Sequence, residues 1–94
     1  MTVVVRLASA LRSHAGGAGH VEVEVPDPAT VAAVLDALAV GYQAVARRVR
    51  DEEGTVRQHV NLFVGADNVR DLDGLDTVVG DGTELSVLPA VSGG

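Results

Sequence analysis

The feature that most restricts the fold of this 94-residue chain is the strict alternation at positions 21–25, Val-Glu-Val-Glu-Val. Neighbouring side chains of a β-strand point to opposite faces, so the valines share one face and the glutamates share the other. An antiparallel strand with one face on the core and one face in water has this pattern. The alternation therefore predicts a sheet that is covered on one side only.

A second strand precedes this one and predicts a hairpin at the start of the chain. Residues 2–7 are mostly β-branched and indicate a strand. Residues 8–14 are compatible with a short helical turn, and residues 15–19, Ala-Gly-Gly-Ala-Gly, form a pliable connection. Two strands joined in this way are expected to pair with each other.

Helical periodicity follows the hairpin. The segment Pro-Asp-Pro at positions 26–28 interrupts the sheet, and the hydroxyl of Thr30 can accept a hydrogen bond from the first turn of a helix. Gly41 is placed to end that helix in the left-handed conformation. The apolar stripe between these signals has helical spacing and consists of Val31, Val34, Leu35 and Leu38. This is the one long amphipathic helix that the sequence predicts.

The order of these elements predicts an α+β protein. Weaker signals in the second half indicate a short helix, a charged loop, a strand and two turns, at residues 42–50, 51–54, 60–64, 65–67 and 80–82. A hairpin, one main helix and a closing strand form the β-grasp (ubiquitin-like) arrangement, a mixed sheet of four to five strands. Its first and last strands lie parallel at the centre. We expect one domain over residues 1–94, with a core of valine, leucine and alanine because only 2% of residues are aromatic.

The C-terminal segment is predicted to leave this body. Alternating apolar residues indicate a last strand at 84–88, and Pro89 is expected to end it because proline has no N–H with which to continue the pairing. Residues 89–94 would then form an extended, flexible tail. Gly93 and Gly94 have no Cβ, so the end of the chain can enter a narrow slot in another protein.

The terminal carboxyl group of Gly94 is the candidate reactive group. An α-carboxyl group has a pKa of about 3.3–3.7, so at neutral pH it is an anion and a poor electrophile. It must be activated, most simply as an acyl-adenylate, before it can accept sulfur or an amine. Because the sequence has no phosphate-binding loop, we expect a partner enzyme to use ATP in trans. The net charge of −6 favours a basic surface on that enzyme.

The composition disfavours other classes of function. The absence of cysteine excludes disulfides, thiolate metal sites and cysteine nucleophiles. The histidines at 14, 20 and 59 lack metal-ligand spacing, and Gly82 occupies the position where a calcium loop starting at Asp71 would need glutamate. We therefore expect no metal, no stably bound cofactor and no enzymatic activity of the chain alone.

The charge pattern also bears on partners and location. An acidic chain is a poor partner for nucleic acid or an anionic membrane. No signal peptide or membrane-spanning segment is recognised, which predicts a cytoplasmic protein. Arg47, Arg48 and Arg50 form a basic run, and the acidic residues that follow at 51–53, Asp-Glu-Glu, are expected to neutralise it. A solvated surface is favoured there over a docking site.

The predicted fold and the end of the sequence together resemble the ThiS/MoaD family of ubiquitin-like sulfur carriers. The likeness covers essentially the whole chain and is strongest from His59 onward, through His-Val-Asn-Leu-Phe-Val at 59–64 and Asp-Gly-Thr-Glu-Leu at 81–85 to the Gly-Gly end. It implies that an E1-like adenylyltransferase/sulfurtransferase of the MoeB/ThiF type adenylylates the terminal glycine. The product would become a thiocarboxylate that donates sulfur to a biosynthetic enzyme.

By the same resemblance, Gly94 carries the sulfur and Gly93 is the slim residue that lets it enter both partners. Contacts to the partners are implied for the rest of the tail and its root, Ser92, Val91, Ala90, Pro89 and Leu88. Leu88 is equally compatible with a place in the core.

Several branches of function stay open. Asn-Leu-Phe-Val at 61–64, followed by Asp-Asn-Val-Arg at 67–70, is similar to the CysO-type carriers of cysteine biosynthesis. A carrier for another sulfur-containing metabolite and a small subunit of molybdopterin synthase have comparable tails. The alternative from another class is a non-covalent ubiquitin-like binding module, in which the glycines are a frayed end.

Overall fold

The computed structural model describes residues 1–89, and these form a mixed five-stranded sheet, a two-stranded sheet and three α-helices. The strands are β1 (Thr2–Leu7), β2 (His20–Glu24), β3 (Ala29–Thr30), β4 (Val60–Val64), β5 (Asp67–Asn68), β6 (Val78–Val79) and β7 (Glu84–Pro89). The helices are α1 (Ser9–Arg12), α2 (Val31–Gly41) and α3 (Gln43–Val49). Short 3-10 turns cover Ser13–Ala15, Val69–Asp71 and Gly74–Asp76.

The larger sheet has the strand order β2-β1-β7-β4-β5. β1 pairs with β2 as the predicted antiparallel hairpin, with Val3 opposite Val23. β1 also pairs with β7, in parallel, with Val5 opposite Leu85. The predicted β-grasp arrangement, with the first and last strands parallel at the centre, is therefore confirmed.

The core lies between one face of this sheet and the helices α2 and α3. Alternate residues of each strand point inward, as the valines of β2 predict. The fully buried side chains are Leu35, Leu38, Leu62, Leu85, Val3, Val5, Val31, Val34, Val45, Val49, Val79 and Val87. The two aromatic residues, Tyr42 and Phe63, are only half-buried. Leucine and valine thus fill the interior, as the composition predicts.

The start of α2 is as predicted and its end is not. The Thr30 hydroxyl accepts a hydrogen bond from the Ala33 N–H at 3.2 Å. Gly41 is the last helical residue, but it is not in the left-handed region. The chain turns at Tyr42 instead, whose N–H donates to the Leu38 carbonyl at 2.7 Å and whose carbonyl accepts from the Ala46 N–H at 3.0 Å. Because Tyr42 closes α2 and opens α3, no left-handed residue is needed.

β7 continues one residue further than predicted, and Pro89 is its last residue, opposite Val60. The Glu84 carbonyl accepts from Gly65 on the β4 side, and the Val87 carbonyl accepts from Ala8 on the β1 side. Backbone groups alternate in direction along a strand, so the nitrogen of Pro89 faces the side of β1. Since β1 has already ended at Leu7, the missing N–H costs no ladder hydrogen bond.

Two valines of α2 provide a matched test of this core. Val34 is fully buried, whereas Val40 is 90% exposed. We expect Val34→Ala to lower the free energy of unfolding by about 2 kcal/mol, because it removes buried methyl groups and leaves a cavity. Val40→Ala should change it by no more than about 0.5 kcal/mol. Urea unfolding followed by circular dichroism measures both, and equal losses would contradict the assigned faces of α2.

Candidate functional site

The candidate site begins where β7 leaves the centre of the sheet. Leu88 and Pro89 are exposed, Leu88 to 41%, whereas the neighbouring Val87 is fully buried. The structure thus places Leu88 outside the core. The remaining predicted site residues lie outside the described part of the chain, namely Ala90, Val91, Ser92, Gly93 and Gly94. Their roles stay predictions.

The outer face of the sheet lies on one side of this exit. Leu88 is opposite Asn61, and Phe63 is opposite Ser86, so these side chains share the face away from the helices. Leu88 and Phe63 supply apolar surface there. The exposed face is therefore mixed in character, with apolar side chains close to the last strand residue.

An ion pair crosses the central parallel strands on the same face. The Arg6 guanidinium donates to the two carboxylate oxygens of Glu84 at 2.5 and 2.9 Å. These hydrogen bonds lower the pKa of Glu84. Desolvation opposes this shift, and the charges of Arg6 and His20 reinforce it. Both partners are well exposed, so water screens the pair and its contribution to stability is small.

A groove of about 590 Å³ lies next to the exit, at the end of the sheet where α1 and α3 approach each other. Its apolar lining comes from Ala8, Ala10, Leu11, Ala44, Val60, Val87, Leu88 and Pro89. Its polar lining consists of Arg47 and Arg48 on α3 and of Arg57 and His59 before β4. We call it the basic groove. The lining includes Leu88 and Pro89, from which the chain continues toward its C-terminus.

The basic groove differs from the basic run seen in the sequence. Arg50 is not part of it and pairs with Asp36 at 2.8 Å. Arg57 takes its place, because its Nε donates to the Arg47 carbonyl at 2.8 Å. Asp51, which was expected to neutralise the run, accepts hydrogen bonds from its own loop, from the N–H groups of Glu53 and Thr55. Sequence patterns did not identify Arg57 and His59 as part of this site, because only tertiary contacts bring them close to α3.

The described residues near the exit offer groups that can bind a partner or an anion. Within residues 1–89, no three histidine, aspartate or glutamate side chains are placed to hold a metal ion. No helix in the same range has both the length and the apolar character of a membrane span. Arginines in an apolar groove can bind carboxylates or other anions. The geometry therefore suits recognition beside the tail.

Comparison with known sequences gives a family relationship along nearly the whole chain. The model of the ThiS family matches residues 5–94. The sulfur carrier protein CysO of Mycobacterium tuberculosis is 34% identical over 96 residues, and the match covers 100% of both chains. Small archaeal modifier protein 3 of Haloferax volcanii is 43% identical over 70 residues, covering 74% of this chain and 75% of the archaeal protein.

The fold agrees with that relationship. A crystal structure of a BexX/CysO complex from Amycolatopsis orientalis contains a chain that superposes with a TM-score of 0.84 at 35% identity. The superposition covers 98% of this chain and 99% of the other. Sequence and structure are therefore similar to the same group of small β-grasp proteins.

The ion pair between Arg6 and Glu84 predicts a pH dependence of stability. The pKa of folded Glu84 lies below its ordinary value of 4.5. The pair therefore stabilises the fold above pH 4.5, and its contribution is lost as the pH falls through the lower folded-state pKa. We expect wild type to exceed Glu84→Gln in Tm at pH 7, and the difference to shrink below pH 4.5.

Glu22→Gln is the matched control for this measurement, because Glu22 is an exposed carboxylate of β2 and is in neither of the two ion pairs found within residues 1–89. Its Tm should follow that of wild type at each pH. A Tm difference for Glu84→Gln that stays constant from pH 7 to pH 3 would refute the role of the pair.

Proposed function

Because the chain belongs to the ThiS family, we propose that it is a ubiquitin-like sulfur carrier whose chemistry takes place at the carboxyl group of Gly94. The observation that carries this proposal is the likeness to CysO over 100% of both chains, at 34% identity. The fold supports it as well, since the last strand ends with exposed residues at the centre of the sheet.

The proposed chemistry has two steps. In the first, the Gly94 carboxylate attacks the α-phosphate of ATP, and an acyl-adenylate forms with release of pyrophosphate. In the second, a sulfide nucleophile attacks the acyl carbon and AMP leaves, which yields a thiocarboxylate. The carrier contributes the reacting carboxyl group, and an E1-like adenylyltransferase/sulfurtransferase of the MoeB/ThiF type contributes the ATP site. The chain is thus a protein co-substrate and holds no cofactor of its own.

The tail is proposed to extend into the active sites of partner enzymes through a narrow entrance. Gly93 and Gly94 offer no side chain to obstruct a narrow entrance. Ser92, Val91 and Ala90 would line that entrance, while Leu88 and Pro89 would touch its rim. That CysO is found in a complex with BexX in a crystal structure supports partner binding by this type of protein.

We propose a biosynthetic enzyme as the sulfur acceptor. Cysteine biosynthesis is favoured because the likeness to CysO extends over the whole chain, and another sulfur-containing metabolite is the alternative product. We place these reactions in the cytoplasm, where ATP is available to the activating enzyme.

Intact-mass spectrometry tests the proposed chemistry directly. Incubation of the protein with a cognate E1-like enzyme, ATP and sulfide should raise the mass by the difference between sulfur and oxygen. Fragmentation should place the change at Gly94. Omission of ATP is the control and should leave the mass unchanged. The absence of any mass change with the cognate enzyme would refute the carrier function.

A substitution next to the reacting residue tests the narrow entrance. Gly93→Val should reduce the rate of thiocarboxylate formation by roughly a hundredfold, because a branched side chain displaces the carboxyl group from the reacting geometry. Gly93→Ala should give an intermediate rate. The urea midpoint of both variants should equal that of wild type, which separates the effect from folding. An unchanged rate for Gly93→Val would contradict this use of the tail.

Removal of Gly93 and Gly94 distinguishes the carrier from a non-covalent binding module. The truncated carrier should retain its fold and lose thiocarboxylate formation, because the remaining end carries a side chain. A module would keep both its partner and its activity. Co-purification of the full chain in a stable heteromer with a larger chain would instead favour a small subunit of molybdopterin synthase.

A further inference from the structure

The basic groove has an unusual charge for this protein. The chain contains 13 aspartates and glutamates and 7 basic residues, all of them arginine. Within residues 1–89, Arg47, Arg48, Arg57 and His59 line the groove, and no aspartate or glutamate side chain does. The net charge of −6 is therefore a poor description of the surface around the start of the tail.

Two arginines of the groove have donors to spare. Within residues 1–89, the side chains of Arg47 and Arg48 make neither an ion pair nor a hydrogen bond to protein groups. Every other arginine is engaged. Arg6 binds Glu84, Arg12 the Leu7 carbonyl, Arg50 Asp36, Arg57 the Arg47 carbonyl and Arg70 the Val60 carbonyl.

Arg57 adds an anchored guanidinium group beside Arg47 and Arg48. Its Nε is held by the Arg47 carbonyl at 2.8 Å, and its backbone N–H donates to the Val49 carbonyl at 2.9 Å. This anchoring at the end of α3 pre-orients the guanidinium group. Binding of a ligand to Arg57 therefore costs less side-chain entropy than binding to an arginine that has to be ordered first.

Part of the lining of the groove is apolar. Leu11 and Ala44 contribute to it, and Leu88 and Pro89 contribute where the chain leaves the sheet. An inorganic anion would leave these carbon atoms in contact with water. An occupant with both carboxylates and an apolar side chain would satisfy the arginines and cover the apolar lining at the same time.

We propose that the basic groove binds an acidic segment, with at least one apolar side chain, on the enzyme that takes the tail. The inference rests on the proposed carrier function, because that function requires an enzyme to approach Pro89. Charges further away than about 8 Å are largely screened at physiological ionic strength. The arginines next to the tail, and not the net charge, should therefore determine which surface docks there.

Kinetics of activation test this docking. Arg47→Glu/Arg48→Glu should raise the KM for the carrier by at least about tenfold and leave kcat nearly unchanged, because repulsion weakens association without altering the tail. Arg12→Glu/Arg70→Glu changes the net charge equally and lies outside the groove. This control should stay within about threefold of wild type. Equal KM values for wild type and Arg47→Glu/Arg48→Glu would overturn the proposal.

A second measurement is independent of sulfur chemistry. A synthetic peptide that alternates glutamate and leucine is titrated into the 15N-labelled full chain. The largest changes in the chemical shifts of the protein's backbone amides should fall at Arg47, Arg48, Arg57 and His59. These changes should be absent in Arg47→Glu/Arg48→Glu. No shifts, or shifts elsewhere, would overturn the proposal. Equal shifts with inorganic phosphate at matched ionic strength would also overturn it, in favour of a small-anion site.

The chain's own end is the remaining competitor for the groove. In the full chain with a C-terminal carboxamide in place of the carboxylate, the amides of Arg47 and Arg48 should keep their wild-type positions in the absence of peptide. Shifts of both would show that the terminal carboxylate occupies the groove and would overturn the proposal. If wild type forms no thiocarboxylate, the proposed carrier function is wrong. The peptide titration still tests whether the basic groove binds an acidic segment.

Discussion

The parallel pairing of β1 with β7 is the contact on which the rest of the structure depends. It joins residues about eighty positions apart, with Val4 opposite Glu84 and Leu7 opposite Val87. Closing a loop of that length is less costly than its size suggests, because each doubling of loop length adds only about 0.6 kcal/mol. Full burial of one valine or leucine contributes about 1.5–3 kcal/mol, and both strands bury several. The core therefore combines residues from the start of the chain with residues of β7.

That pairing also determines where the chain can go next. β7 lies between β1 and β4, so it is covered on both edges until β1 ends at Leu7. Beyond that point β4 alone accompanies it, and Pro89 follows without loss of a ladder hydrogen bond. A central strand thus ends at the surface, beside the basic groove. A strand that is paired on both edges thus positions the proposed reactive end of the protein.

Local periodicity explains what the sequence could predict. The alternation at 21–25 and the stripe from Val31 to Leu38 each depend on residues a few positions apart, and both are found in the structure. The prediction that Gly41 ends α2 in the left-handed conformation was wrong, because α3 begins almost immediately after α2. The pairing of Ala29–Thr30 with Val78–Val79 was missed, since two-residue strands carry no period. Arg57 likewise has no local signal that connects it with Arg47.

Net charge and local charge therefore act at different stages of an encounter. The charge of −6 favours approach to a basic protein surface, most strongly at low ionic strength. Within about 8 Å the nearest side chains dominate, and in the groove these are arginines, with no acidic side chain of residues 1–89 in its lining. A partner that is basic overall but acidic beside its entrance would match both.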